Sequence, residues 1–144
     1  MATGDVTFHN KFKNELGLGN ADLANDTYRL YLLDGAEPDI DADDFLSDVI
    51  ADEIPLTGYT AGGATLSSLA YTRDDTNDYS WWDFANPNWA SIAAGTITWG
   101  VIVRWTGSAA TSVIVCHIEV DDSNGQSYTV TIPATGIVHV QQAA

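Results

Sequence analysis

Residues 96–106 read TITWGVIVRWT, and apolar side chains occupy every second position from Ile97 to Trp105. Residues 111–120, TSVIVCHIEV, repeat this period after a short link that contains Gly107. A period of two is typical of β-strands, because successive side chains point to opposite faces of a sheet. The two runs therefore predict the central antiparallel hairpin of the fold.

The same period extends over most of the chain that follows Thr27. Asn, Asp and Gly residues lie between the apolar runs, and these residues form turns readily. The pattern predicts an all-β fold, an antiparallel β-sandwich, for which a jelly roll is one suitable topology. Besides the hairpin, the predicted strands are 27–33, 65–73, 78–84, 126–132 and 136–140.

The first 24 residues differ in composition from the rest. They contain both lysines, Lys11 and Lys13, and their apolar residues Phe8, Phe12 and Leu16 recur at helical spacing. The sequence predicts a short helix or an arm. Two interpretations stay open, namely a terminal helix packed on its own core and an arm that reaches a neighbouring subunit.

The length and the charge of the chain limit the classes of function that it can have. The chain has 144 residues, the size of one domain, which we divide into an N-terminal arm or helix (1–24) and a β-sandwich domain (25–144). Its formal charge of -15 repels nucleic-acid phosphates and anionic lipids, so we expect neither nucleic acid nor membrane as a partner. The start lacks the features of a secretory signal, and no apolar run approaches the roughly 20 residues of a membrane-spanning helix. Synthesis in the cytosol is expected.

One acidic loop has the spacing of a cation site. Asp39, Asp41 and Asp43 alternate as carboxylates do when a loop surrounds a hard cation. An EF-hand would also need Gly at the sixth position and Glu at the twelfth, where this chain has Asp44 and Ile50. A weak Ca²⁺ site and a solvated acidic loop remain the two interpretations, and the solvated loop is preferred. No cofactor is expected.

The sequence contains no recognisable catalytic motif. His9, His117 and His139 are scattered and lack metal-ligand spacing. Cys116 and His117 are neighbours on a predicted strand, so their side chains face opposite sides and cannot form a nucleophile–base pair. We expect a buried thiol, an outward or hydrogen-bonded His117, and no enzymatic activity.

An aromatic cluster has three interpretations. On a strand, Trp81 and Trp82 face opposite sides, so one fills the core while the other faces solvent or a partner. Core packing, a protein interface and stacking on a sugar ring all suit such residues. The cluster comprises Tyr79, Trp81, Trp82, Phe84 and Trp89.

Seven segments of the chain form a recognisable series. They are the strand at 28–33, PDIDA at 38–42, FLSDV at 45–49, GYTAGG at 58–63, DTND at 75–78, the strand at 97–104 and YTVTIPATGI at 128–137. Together these segments resemble small structural proteins of tailed-bacteriophage virions. The resemblance spans about residues 27 to 140; the Trp81-Trp82 pair and the start of the chain do not match it.

The resemblance implies a β-rich, non-enzymatic virion subunit that acts by binding. Proteins of this kind include capsid decoration or cement proteins, which bind the major capsid protein on the outer surface of the head and commonly form homotrimers. The alternative is a tail-associated carbohydrate- or receptor-binding module. The hypothetical interface residues are Phe8, Lys11, Phe12, Lys13, Trp81, Trp82 and Trp89.

Overall fold

The structure, a computed structural model, describes residues 6–132 and 136–141. Most of its regular structure is β-strand, which confirms the predicted β-rich, antiparallel class. Within the described ranges no helix is both long and apolar enough to cross a bilayer. The elements are β1 (Val6–Phe8), α1 (Asn10–Gly17), β2 (Tyr28–Leu33), α2 (Leu46–Val49) with a 3-10 turn (Ile50–Asp52), β3 (Ala64–Thr65), β4 (Ala70–Asp74), β5 (Tyr79–Asp83), β6 (Asn88–Trp89), β7 (Trp99–Arg104), β8 (Val113–Glu119), β9 (Tyr128–Thr129) and β10 (Val138–Gln141).

The described strands form three antiparallel sheets. A large sheet has the order β1-β8-β7-β2-β3, a small sheet the order β10-β5-β4, and β6 pairs with β9. The predicted hairpin is confirmed, because β7 and β8 pair from Trp99↔Glu119 to Arg104↔Val113 at the centre of the large sheet. A bulge between Ile102 and Val103 shifts the register of this pair.

The large sheet is buried on both faces. One face carries Leu30 and Ile102, and it packs against the small sheet through Trp82. The other face carries Tyr31 and Val101, and α2 covers it. Sheets covered on both sides have nearly continuous apolar strands, which explains why seven consecutive residues of β8 include only one exposed side chain. The alternation from Ile97 to Trp105 predicted one apolar face for β7, and the structure instead buries consecutive residues from Gly100 through Val103.

Several predicted strands are shorter than expected. The run 65–73 is split into β3 and β4, because Ser68 adopts a φ of 57° that a strand cannot contain. The run 126–132 contributes only β9 to a ladder. Two short strands, β1 and β6, were not predicted.

Two glycines permit close approaches between loops and the core. Gly58 has a φ of 93°, and a Cβ there would overlap the carbonyl oxygen of Ser91. Gly63 has a φ of 70°, and its Cβ would lie 2.7 Å from the carbonyl oxygen of Leu30. Any other residue would be strained at both positions.

Candidate functional site

Two histidines that lie far apart in sequence meet inside the molecule. His9 directly follows β1 and His117 belongs to β8, and pairing of these two strands brings the residues together. The His9 Nε2 and His117 Nδ1 atoms are 3.0 Å apart, and the rings are nearly perpendicular at 84°. Since the side chains of His9 and His117 are 0% and 1% exposed, water does not compete for this contact.

The outer nitrogens of the two rings also have oxygen partners. His9 Nδ1 lies 2.8 Å from the backbone carbonyl oxygen of Asp43, in the acidic loop. His117 Nε2 lies 3.3 Å from a carboxylate oxygen of Glu37. The indole of Trp99 meets the His117 ring edge-on, with centroids 5.2 Å apart. The contacts form a chain of four groups from the acidic loop to Glu37, which we call the histidine relay.

Burial controls the charge of the histidine relay. It lowers the pKa of His9, although the hydrogen bond to the Asp43 backbone opposes this change. It also lowers the pKa of His117, where the carboxylate of Glu37 opposes it. Both rings are therefore neutral at neutral pH.

An acidic pocket adjoins the relay. Its volume is about 480 Å³, and Glu37 and Trp99 form part of its wall. Glu119, Asp121 and Asp122 add three further carboxylates. The carboxylate of Asp122 accepts a hydrogen bond of 3.0 Å from the backbone N–H of Ile97. This bond links the segment just before β7 to the segment just after β8. Four carboxylates around one pocket disfavour anionic ligands.

The acidic loop that has the spacing of a cation site forms hydrogen bonds between its carboxylates and its own backbone. The carboxylate of Asp39 accepts hydrogen bonds from the backbone N–H groups of Asp41 and Ala42, and that of Asp43 accepts one from Asp39. These bonds lower the pKa of Asp39. Among residues 6–132 and 136–141, no three His, Cys, Asp or Glu side chains converge so as to hold a metal ion. The carboxylates of Asp39 and Asp43 thus serve as hydrogen-bond acceptors for the backbone of their own loop.

Two other turns are stabilised in the same way by an aspartate carboxylate. Asp22 accepts backbone hydrogen bonds from Ala24 and Asn25, and Asp74 accepts them from Thr76 and Asn77. Short polar side chains stabilise turns in this way. Part of the large negative charge therefore serves local structure.

The aromatic cluster is divided between the core and the surface. Trp82 is completely buried, and its indole N–H donates to the carbonyl oxygen of Leu23 at 2.7 Å. Trp81 points to the opposite, outer face of the small sheet and is partly exposed, with its ring 5.4 Å from that of Tyr79. Trp89 is partly buried between aromatic rings of the core. Trp82 is therefore a core residue, and it is not available to an interface.

The N-terminal residues pack on their own chain. β1 extends the large sheet by pairing with β8, and Phe12 of α1 is 1% exposed in the core. Phe12 is thus unavailable to a neighbouring subunit, and the arrangement is that of a terminal helix on its own core. Phe8 is partly buried, Lys11 lies 4.9 Å from the Phe45 ring centroid, and Lys13 donates to the exposed side chain of Asn10.

The Cys116 thiol is inaccessible. Its side chain is 0% exposed, as the sequence predicted, and burial raises the pKa of the thiol far above its usual range. His117, its neighbour, faces the other side of β8 and is hydrogen-bonded to His9, which confirms one of the two expected states. The two residues do not act as a pair.

The sequence did not predict that His9 and His117 come together in the histidine relay. His9 and His117 are 108 positions apart, and no local spacing links them. The only available signal was a histidine inside the apolar run of β8, a position where a hydrogen-bond partner is required. Comparison with protein-family models, with curated proteins and with solved structures finds no match to this chain.

Proposed function

We propose that the chain is a non-enzymatic structural protein of a tailed-phage virion. In this proposal it is a capsid decoration or cement protein that binds the major capsid protein on the outer surface of the head, as a homotrimer. The segments between residues 27 and 140 that resemble small virion proteins motivate the assignment. The main structural support for the proposal is the outer face of the small sheet, which has an exposed edge strand and two neighbouring aromatic rings.

The small sheet offers features that suit protein binding. β4 is the last strand at one side of this sheet among the described strands, and four of its five residues are exposed. Edge strands can accept a further strand from a partner. Beside it, the Trp81 and Tyr79 rings lie together on the outer face. Partly exposed aromatic residues are frequent energetic centres of protein interfaces.

The cysteine and two of the histidines are enclosed in the fold. Cys116 is sealed in the core, and His9 and His117 are hydrogen-bonded to each other. A nucleophile or general base must reach its substrate, and these three groups do not reach the surface. Their placement favours a binding role.

A sandwich arrangement of the sheets is part of the proposal. Trp82 of β5 and Tyr28 of β2 pack across the core with ring centroids 4.9 Å apart, so the small and large sheets share one apolar layer. Such packing supports a β-sandwich. A jelly-roll topology is a further part of the proposal. A compact sandwich with a charged surface suits a subunit displayed in many copies.

A binding assay on particles tests the proposal. Labelled protein is added to purified heads that lack it, and Trp81→Ser is compared with Leu18→Ser. Leu18 is the matched control, because it is an apolar residue that is 66% exposed and lies next to α1 rather than on the small sheet. We expect Trp81→Ser to weaken binding about tenfold or more, as at an interface hot spot, and Leu18→Ser to leave it unchanged. Equal affinity of wild type and Trp81→Ser would refute the assigned face.

A second candidate function rests on the same two rings. The Trp81 and Tyr79 rings lie 5.4 Å apart on the outer face of the small sheet, and an aromatic ring at a surface is a group on which a sugar ring can stack. This arrangement favours a tail-associated carbohydrate- or receptor-binding module as the alternative. If the protein binds host-cell glycans, loses this binding in Trp81→Ser and does not bind heads, the carbohydrate- or receptor-binding function is the correct one.

A further inference from the structure

The positions of the hydrogens in the histidine relay follow from its geometry. The carbonyl oxygen of Asp43 can only accept, so the His9 Nδ1 atom that lies 2.8 Å away carries a hydrogen. A neutral imidazole has one N–H, and His9 Nε2 is therefore an acceptor. His117 Nδ1, 3.0 Å away, must be the donor of the central bond.

This arrangement has room for one additional proton. With its hydrogen on Nδ1, neutral His117 presents the lone pair of Nε2 to the carboxylate of Glu37 at 3.3 Å. A proton added to His117 Nε2 converts that contact into a charge-assisted hydrogen bond and leaves the other bonds intact. All four ring nitrogens are then satisfied.

A second proton is incompatible with the closed arrangement. It would have to bind His9 Nε2, which then becomes a donor facing the N–H of His117 across 3.0 Å. Two positively charged rings would also lie with centroids 5.2 Å apart in a buried site. The rings must separate before the second proton binds.

His9 joins β1 to α1, so its displacement acts on both elements. Its backbone N–H donates to the carbonyl oxygen of Val115, and that of Asn10 donates to Ile40. We propose that the His9–His117 pair is a proton-operated latch for residues 6–17: the closed latch holds at most one extra proton, and a second proton releases the segment from the edge of β8.

The charged groups around the pair set the direction of the pH dependence. The carboxylates of Asp43, Asp44 and Glu37 favour protonation, and burial opposes it more strongly, so the pKa values of His9 and His117 are lowered. The carboxylate of Asp39 also interacts electrostatically with His9, and the Trp99 ring meets His117 edge-on. Lys11 and Glu119 are the nearest charged residues along the chain.

The sign of the dependence follows from the lowered pKa values. The released segment binds more protons than the closed one. Closure is therefore fully favourable above the ordinary histidine pKa of about 6.5 and weakens as the pH falls below it. Once the closed pair holds its one proton, release takes up one more, and the opening constant rises about tenfold per pH unit.

Hydrogen exchange of the N-terminal segment tests the latch. Peptides that cover residues 6–17 are followed by mass spectrometry between pH 7 and pH 4, with rates corrected for the intrinsic pH dependence of exchange. In the variant His9→Gln, the amide donates to Asp43 and its oxygen accepts from His117, but it cannot be protonated. His139→Gln is the control, because His139 belongs to β10 in the other sheet.

We expect wild type and His139→Gln to lose protection of this segment by about tenfold per pH unit, and His9→Gln to retain it. Constant protection of wild type from pH 7 to pH 4, or an equal loss in His9→Gln, would overturn the proposal. If His9→Gln does not fold, ¹⁵N NMR of wild type at pH 7 provides the test. The latch requires the hydrogen of His9 on Nδ1, and finding it on Nε2 would refute the assignment.

Discussion

The two adjacent tryptophans are expected to differ sharply in their contribution to stability. Trp82 is fully buried, donates a 2.7 Å hydrogen bond to Leu23, and packs edge-on against Tyr28 and Phe84 at 4.9 and 5.0 Å. Replacing a buried tryptophan by alanine costs about 3–5 kcal/mol. Trp81 is partly exposed, with its ring 5.4 Å from that of Tyr79, so Trp81→Ala should cost about 1 kcal/mol.

Urea denaturation, monitored by circular dichroism, measures this difference. The midpoints should separate while the slopes stay equal, because both variants expose a similar surface on unfolding. If Trp82→Ala does not fold, Trp82→Phe serves instead; loss of the hydrogen bond and a small cavity should destabilise it by about 2 kcal/mol. A Trp81 variant that is destabilised as much as the Trp82 variant would refute the assignment of the two faces of β5.

Three further predictions concern turns, packing and the thiol. Hydrogen bonds lower the pKa values of Asp22, Asp39 and Asp74, so the stability they provide is present above their ordinary pKa and lost as the pH falls through the lowered values. The free energy of unfolding should therefore decrease between pH 5 and pH 2.5, and the triple Asp→Asn variant should lose less; parallel curves would contradict this. Gly58→Ala should lower the denaturation midpoint strongly, since its Cβ meets backbone, and an unchanged midpoint would show that the loop adapts. Cys116 should react with a disulfide reagent only at the rate of unfolding, and rapid reaction of the native protein would disprove its burial.

The sequence predicted those parts of the fold that depend on local periodicity. The alternation in residues 96–106 and 111–120 identified the central hairpin, and the spacing of Phe12 and Leu16 identified α1. Phe8, which the same spacing included, lies in β1 instead. The sequence also required Trp81 and Trp82 to face opposite sides, and the structure assigns Trp82 to the core. Local sequence was sufficient to predict these elements, because the spacing of their apolar residues matches the residues that the fold buries.

The remaining features depend on contacts between distant residues. Three residues, Val6–Phe8, carry too little pattern to predict a strand, and their partner β8 lies more than a hundred residues further along the chain. The histidine relay depends on that same pairing. Burial of the second face of the large sheet depends on the packing of α2 against it, a contact between segments that are distant in the chain. Ser68 interrupts a strand although serine rarely adopts a positive φ.

The proposed role in a tailed-phage virion is tested most directly by the copy number of the chain in purified particles. Quantitative mass spectrometry, calibrated with labelled peptides of the chain and of the major capsid protein, gives the ratio of the two. A capsid decoration protein predicts a copy number comparable with that of the major capsid protein. Absence of the chain from the particles, or only the few copies typical of a tail component, would contradict the account.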